Sequence, residues 1–598
     1  MIKKVVPINY TSKDFDTIRK DLVSYIKRYY PDTYKDFNQA SFGSMMMDLI
    51  AMVGDNLSFY LDYNANESFM HTSLEFENVV MHAKQLGYKY DPNRTSVGNV
   101  DIYIPVPSKG NEVAPDLRYL PKMLRGTVFT TSTGIPFTLN QNIDFNDPNI
   151  EVTAAPSESS DGTSTDYYIA KATAQVVSGQ ENVSVIEIGE FQRFLKVEVP
   201  GNNITEILRV VDDEGNEYSE VNYLSQNTVF KEMTRAGVGD NSQPSIIKSF
   251  PVPRRFVVER DGANLFLVFG YGSENEIKNN KISDPSDVAL KISGKNYVSD
   301  TAFDPSNLVT SDKFGVSPDN TNLTVTYRYN TVDNSNTGAG TITNISSPII
   351  IFENEQQLSR EKLDYITTNL TVYNEEPING DITTPTTEEI KRRAIAQFAT
   401  QERAVTLKDY VSATYAMPNK FGSVKRAAAI RDNDDLRRNI NLFIISENSN
   451  SELEKASSGL KNNLTTWLNS VKMVSDSVDI LDANVLNLGI SFEVFAQSYA
   501  NKSNLYGEIR EKIYQELKEI PPEIGEYLYL TEIFKILKEI DEVLDVVNIN
   551  LEVKSGGNYS SYSIGLDSLM SVDGRVLQTP MDTIWEVKYV TDISGIIR

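Results

Sequence analysis

The chain has 598 residues, 40% of them hydrophobic and 23% charged, with a formal net charge of −25 and no cysteine. This length is too great for one hydrophobic core and predicts about three to five domains, at roughly 100–200 residues each, in an ordinary globular composition. The absence of cysteine excludes disulfide staples, zinc–thiolate sites, iron–sulfur clusters and thiol nucleophiles, and fits a reducing cytoplasm; the acidity argues against nucleic acid, whose phosphates call for basic stripes.

Residues Met1 to Tyr10 include two lysines, but their apolar run is too short for a signal peptide. A first helix is expected to follow Thr11 to Asp14, which resembles a capping box with Asp in place of Glu or Gln. Its apolar positions Phe15, Ile18, Leu22, Ile26 (or Tyr25) and Tyr29 alternate at three and four, the stripe of a helix that meets other helices, and Pro31 ends it. A second helix, Phe42 to Tyr63, carries Met45, Met46, Met47, Leu49, Ile50, Met52, Val53, Leu57 and Tyr60. Asp48 and Asp55 interrupt it, so it falls short of the ~20 predominantly apolar residues of a membrane span, and no membrane partner is expected. Its apolar surface is too broad for one neighbour. The methionine run reads either as an adaptable binding face or as plain core. A third helix is expected to start at the capping box Thr72-Ser73-Leu74-Glu75 and close at Gly87, with Phe76, Val79, Val80, Ala83 and Leu86 on its stripe.

The period changes near Pro92. Val100, Ile102 and Ile104 alternate with polar neighbours, as in a strand, and short alternating runs continue to about residue 350. The expected fold is multidomain α+β: an N-terminal helical segment (1–95), antiparallel β domains (96–203 and an inserted 204–350, divided at Pro200-Gly201), a connector with helices (351–419), a two-layer α+β sandwich (420–555) and a β-rich tail (556–598). Helices are predicted over Thr386 to Phe398 and Thr406 to Ala416, with a break at Gln401-Glu402-Arg403. Beyond them the order is strand Asn441 to Ile445, helix Ser451 to Val471, strands Ser477 to Leu481 and Leu486 to Ala496, helices Leu505 to Ile520 and Thr531 to Ile540, and strand Val546 to Val553, in which Val547, Ile549, Leu551 and Val553 share a face.

Little here points to chemistry. The two histidines, His71 and His82, lie in the helical segment and make no catalytic metal site without a third ligand; one capping or surface residue and one packed residue is the plainer reading. No phosphate loop, His-Glu-x-x-His or Gly-x-Ser-x-Gly motif occurs. The clusters Asp212-Asp213-Glu214 and Asp432-Asn433-Asp434-Asp435 sit in turn contexts and match no EF-hand loop. Phe269-Gly270-Tyr271-Gly272 reads as a tight turn after a strand. No enzyme activity, metal or cofactor is expected.

Four motifs, in order, carry a resemblance. They are Asp48-Leu49-Ile50-Ala51 with Leu61-Asp62-Tyr63-Asn64-Ala65-Asn66-Glu67-Ser68-Phe69-Met70-His71-Thr72 and Leu86-Gly87-Tyr88; Leu124-Arg125-Gly126-Thr127-Val128-Phe129; Phe269-Gly270-Tyr271-Gly272; and Thr387-Glu388-Glu389-Ile390-Lys391-Arg392-Arg393 with Gln401 to Tyr410 and Phe421-Gly422-Ser423-Val424. Together they resemble the baseplate J-like family, in particular the inner wedge proteins of T-even-type contractile phages. The resemblance covers most of residues 40–555; the segment 273–350 and the tail after 555 show no match.

The resemblance implies a virion tail-baseplate subunit, assembled in the host cytoplasm. It implies partners too: a second copy of the chain, another wedge protein joined through a helical bundle, and hub and sheath-initiating baseplate proteins. The ring so formed rearranges and triggers sheath contraction. A host-encoded injection particle and a glycan-degrading tail enzyme are the alternatives. The residues expected to bind partners are Phe15, Ile18, Leu22, Ile26, Met45, Met46, Leu49, Met52, Val53, Phe76 and Val80 in the helices, and Phe492 and Phe495 in the strand Leu488 to Phe495. That strand carries a single charge, Glu493, so it reads as an undefended sheet edge, left to self-pairing or to cover by the tail strand Thr583 to Val590.

Overall fold

The computed structural model describes residues 14–32, 37–38, 41–109, 114–154, 167–234, 245–262, 264–273, 314–432, 439–519 and 521–598. Thr11, and most of the Asp432–Asp435 cluster, lie outside them. The architecture is multidomain α+β: a helical N-terminal segment, a run of mostly antiparallel strands and a mixed C-terminal region.

Helix α1 is Phe15–Tyr29; its first turn is capped by Asp14, whose carboxylate accepts the Thr17 amide at 3.0 Å. Helix α2 is Phe42–Glu67, capped by Ser41. Helix α3 is Phe76–Gln85. Its end follows the expectation, with Gly87 at φ +88° and the Tyr88 amide donating back to Ala83 O at 3.0 Å. Its start does not. Glu75 is the N-cap, and Thr72 instead donates from its hydroxyl to Phe69 O (3.3 Å) and Asn66 O (2.5 Å), tying off the end of α2.

The first β sheet has the strand order Ile342–Ser347, Val128–Thr131, Pro136–Leu139, Tyr167–Ser178, Val97–Pro107, Thr371–Tyr373, with Glu151–Ala154 added on Tyr167–Ser178. It curls until its end strands meet: Asn374 accepts the Ile342 amide through its side chain (2.9 Å) and the Gly340 amide through its carbonyl (2.8 Å). Val100, Ile102 and Ile104 point into its core, as their alternation predicts, against Phe129, Phe137 and Ala170.

The second sheet runs Gln180–Ile188, Thr321–Tyr329, Ile204–Val211, Glu217–Glu220, Arg255–Asp261, Asn264–Phe269, Lys196–Val199. The pairings therefore cross the divisions expected at 203 and 350. The true crossing point is Gly179 (φ +101°), where a Cβ would stand 2.5 Å from Tyr329 O; here the chain leaves one sheet for the other. Pro200-Gly201 is a turn within the second sheet. Phe269-Gly270-Tyr271-Gly272 is a close backbone crossing, since a Cβ on Gly270 would lie 2.1 Å from Gly315 O.

Helix α4, Arg360–Thr368, covers the first core through Leu363 and Ile366. Helices α5, Thr387–Thr400, and α6, Leu407–Tyr415, are separate, as expected: Gln401 (φ 50°) and Glu402 (φ 60°) turn the chain left-handed between them. Both start in capping boxes, Thr386 with Glu389 and Thr406 with Asp409.

The region expected as one sandwich over 420–555 has two cores. One sheet, Arg426–Arg431, Asn439–Glu447, Leu453–Glu454 and Ser477–Asp482, packs on α6 and on α7, Ser458–Val471, around Leu442, Ile444, Leu460 and Tyr410. Helix α7 starts seven residues later than expected because Leu453–Glu454 is a strand and Ser457 is the cap. The other sheet, Val543–Lys554, Asn484–Ala496, Thr583–Glu586 and Ile593–Ile597, packs on α8, Lys502–Glu519, and α9, Leu530–Lys538, around Leu488, Ile490, Ile509, Ile513 and Ile533. Only Ala483 separates strands of the two sheets, so the sequence reads as continuous there.

The strand Asn484–Ala496 is no open edge. Val543–Lys554 pairs along one side, and on the other Thr583–Glu586 and Ile593–Ile597 pair in parallel with Asn484–Asn487 and Ile490–Val494. The tail covers the edge within the chain. The face expected for Val547 is also corrected. A bulge between the pairs Glu493/Asn548 and Val494/Val546 leaves Val547 exposed, and Val546 buries in its place.

Candidate assembly interface

Helix α2 is built inside out. Its buried residues are Ser44, Met47, Ala51, Asp62 and Glu67, whereas Phe42, Met45, Met46, Leu49, Ile50, Met52, Val53, Leu57, Tyr60 and Leu61 are exposed, Leu49 at 50% and Tyr60 at 61%. The covered side takes α1. Ile18 lies against Gly54, where a Cβ would be 3.1 Å from its Cδ1, and Arg19 pairs with Asp48 and donates to Ser44 Oγ at 3.4 Å. Small residues let α1 approach, and the bulky residues of α2 face outward.

On a helix of 3.6 residues per turn these exposed residues form one band. Phe42, Met46, Leu49, Val53, Asn56 and Tyr60 recur at alternating four and three, with exposed Asn64 at the angle of Met46 and half-buried Tyr63 closing the series; Met45, Met52 and Phe59 flank them on one side, Ile50 and Leu57 on the other. Asp48, Asp55 and Asp62, spaced by seven, share the opposite side. A seam of two helices needs only the central line; an apolar border on both flanks calls for more than one neighbouring helix.

The structure sorts the expected partner-binding residues into groups. Met45, Met46, Leu49, Met52 and Val53 lie together on the exposed band. Phe15, Ile18, Leu22 and Ile26 are half-buried, while Tyr25, Tyr29 and Tyr30 beside them are exposed. Phe76 and Val80 turn inward: they pack with Val79, Ala83 and Tyr88 onto Ile390 and Ala394 of α5, and Phe76 meets Tyr90 edge-on at 5.6 Å. Phe492 is buried, with its ring 6.0 Å from Tyr506, because its side of the strand faces α8. Phe495 is 43% exposed on the far side of the sheet, together with Val547 and Ile596, beside the Glu493–Arg598 ion pair.

Two polar joints, one between α2 and α3 and one between α5 and the C-terminal region, were missed by the sequence reading. At the first, Glu67 accepts the Leu74 amide (2.7 Å), the Glu75 amide (3.4 Å) and Asn78 Nδ2 (2.9 Å). Burial pushes this carboxyl up, but hydrogen bonds from Asn78, Leu74 and Glu75 outweigh it and hold it below the usual range. His82 lies 2.9 Å from Glu67 O, and His71 is exposed. At the second joint, α5 is tied to the C-terminal region. Arg426, 1% exposed, pairs with Glu389 and Glu523 and donates to Pro521 O (3.0 Å) and Pro522 O (3.1 Å). Lys425 and Glu447 pair beside it at 2.6 Å.

A cleft of about 280 Å³ opens between α5 and the two C-terminal sheets, lined by Glu389, Glu447, Glu452, Glu586, Trp585 and Pro522 among others. Its carboxylates are engaged: Glu389 by Arg426, Glu447 by Lys425, Glu452 by Lys588, and Glu586 by the Leu453 amide and Asn487. Asp212 and Asp213 are likewise occupied in a turn, accepting from Asn216 and Asn322. Among the described residues no group of three His, Asp or Glu side chains converges as a metal site, and no helix is long and apolar enough to cross a membrane.

Residues 14–85, which contain α1, α2 and α3, match the family model described as the N-terminal domain of bacteriophage baseplate protein. This supports a structural baseplate role. No curated protein sequence matches the chain. The solved structures that resemble it include two at low identity. One is a chain of the anti-feeding prophage baseplate, 9% identical, with 95% of this chain and 90% of that chain covered at a TM-score of 0.25. The other is a chain of a type VI secretion system TssK-TssF-TssG baseplate subcomplex, 8% identical, with 74% and 96% covered at a TM-score of 0.24.

Proposed function

We propose that the chain is a structural subunit of a contractile-tail baseplate wedge, of the baseplate J-like kind, located in the virion tail and not an enzyme. The observation that carries this reading is the exposed apolar band of α2, within the segment that matches the baseplate family model. Contiguous apolar surface of this kind marks a protein-interaction site. In this reading the band forms a helical bundle with a second copy and with another wedge protein, since its width calls for more than one neighbour. The C-terminal region pairs through the sheet face around Phe495, the edge of that strand being covered. Hub and sheath-initiating proteins complete the ring, and its rearrangement triggers contraction.

The two polar joints suit that role. They connect α2 through α3 and α5 to the C-terminal sheets, so that displacement of the arm bears on the body. The experiment is reconstitution of the full chain with the other wedge proteins of its particle. Substituting Leu49→Asp and Val53→Asp is expected to abolish wedge assembly and leave the chain folded. Normal assembly of the double variant would remove the band from the account.

A further inference from the structure

The last part of the chain joins the rest at one covalent crossing. Residues 484–598 build their own core, from Leu486 to Ile597, and among the described residues every extensive packing of their helices and strands is with one another. The neighbouring core is anchored differently. There α7 packs on the strand Val97–Pro107, Ser457 donates to Val97 O at 2.6 Å, and a Cβ on Gly459 would lie 3.0 Å from Gly98 Cα. The crossing residue is Ala483, and it is held on both sides: its amide donates to Ile444 O, and the next amide, Asn484, to Asp582 O, each at 2.9 Å. Around it Ile445, Val485 and Ile584 form a small buried apolar cluster.

Away from that cluster the contacts are polar, and the cleft opens between them, with Ser451 and Leu453 on one wall and Leu517, Lys518 and Trp585 on the other. Lys588 pairs with Glu452 at 3.4 Å, and Glu586 accepts the Leu453 amide at 3.0 Å. Glu523 makes the most crossings. Arg392 of α5 (3.6 Å), Tyr415 of α6 (3.5 Å) and Arg426 (3.5 Å) all meet its carboxylate, which is 37% exposed. Its loop belongs to the distal body, since Gly525 donates to Thr583 O at 2.8 Å and Thr579 donates to Glu526 O.

We propose that residues 484–598 swing as one body about Ala483, and that Glu523 is the latch that holds the cleft closed. This does not depend on the α2 band. Water-accessible ion pairs add little, because water replaces them, and a polar interface joined at one crossing permits relative motion. The apolar cluster at Ala483 stays buried and acts as the pivot. Arg426 gives up Pro521 O and Pro522 O in that motion but keeps Glu389, so its charge stays paired.

The test uses the full chain, which has no cysteine of its own. Spin labels at Asn450→Cys, beside Ser451, and Lys518→Cys span the cleft; labels at Lys518→Cys and Asp567→Cys lie within the distal body. The first pair is expected to show a short and a longer distance, the second a single distance. Glu523→Gln is expected to enlarge the longer population about fivefold, and high salt to enlarge it too, with the pair inside the body unchanged. A cleft distance that neither Glu523→Gln nor salt alters would overturn both latch and hinge. Broadening of both pairs would show that the body loosens internally, and would equally overturn a swing of one rigid unit.

Discussion

Glu67, the last residue of α2, accepts the amide of Leu74 at 2.7 Å and so caps the approach to α3 from the end of the preceding helix. A motif search looks for the cap immediately before the helix, and Thr72 fits it by spacing. The carboxylate wins because an ionised acceptor at a helix N-terminus binds more strongly than a hydroxyl. Glu67→Ala is expected to leave these donors unsatisfied, to destabilise the α2–α3 joint by about 1–3 kcal/mol, and to raise the rate of proteolysis between residues 66 and 76. Unchanged cleavage would show that the joint is held by packing alone.

The same residue gives a pH dependence. Its folded pKa lies below the ordinary 4.5. Its contribution is therefore present in full above pH 4.5 and is lost as the pH falls through the depressed folded value. Amide exchange at Leu74 and Glu75 is expected to lose protection on acidification below about pH 4.5, with Glu67→Gln removing that dependence.

At Gly54 the contact with α1 is a flexible side-chain end, Ile18 Cδ1 at 3.1 Å. Gly54→Ala is expected to be close to neutral, because a helix-propensity gain of up to about 1 kcal/mol offsets a small shift of Ile18. Gly54→Phe is expected to push α1 off and to expose the Arg19–Asp48 pair, read as loss of amide protection across residues 15–29. Full protection in the Phe variant would mean that α1 does not depend on this crossing.

Arg426 is the most enclosed charge in the C-terminal joint. Arg426→Met leaves Glu389 buried without its partner, and is expected to cost about 3–5 kcal/mol in chemical unfolding. Replacing both residues by apolar ones is expected to recover part of that loss. Pro521 O and Pro522 O, which Arg426 also serves, keep the recovery incomplete. A loss under about 1 kcal/mol for the single variant would show that water replaces the pair.

Phe492 and Phe495, three residues apart on one strand, separate folding from assembly. Phe492→Ala is expected to cost about 3–5 kcal/mol of stability. Phe495→Glu is expected to change stability by no more than about 0.5 kcal/mol and to weaken pairing between C-terminal regions in sedimentation of the full chain. Equal destabilisation by both would place Phe495 in the core.

Period and capping chemistry carried the legible part of the fold. The alternation at Val100, Ile102 and Ile104, the break before Thr406 and the C-terminal cap at Gly87 are local signals, and the backbone follows them. What was hidden depends on long-range pairing. Nothing local in Gly179 distinguishes a crossing between sheets from an ordinary turn; the Tyr329 carbonyl that requires glycine there is 150 residues away in sequence. Nor does the strand near Phe492 reveal that Ile593–Ile597 covers its edge. At the interface, apolar spacing identified the α2 residues but could not separate core from surface. Phe76 and Val80 share the helical spacing of Leu49 and Val53, and burial by α5 sets them apart.

The outward band of α2 is read here as an assembly surface rather than surplus core. The full chain with Leu49→Asp and Val53→Asp is followed in parallel by thermal unfolding and by sedimentation with the baseplate proteins of its particle. Both side chains are exposed in the isolated chain, so the account predicts an unchanged melting transition together with loss of the complex. A lowered melting temperature with the complex still forming would contradict it.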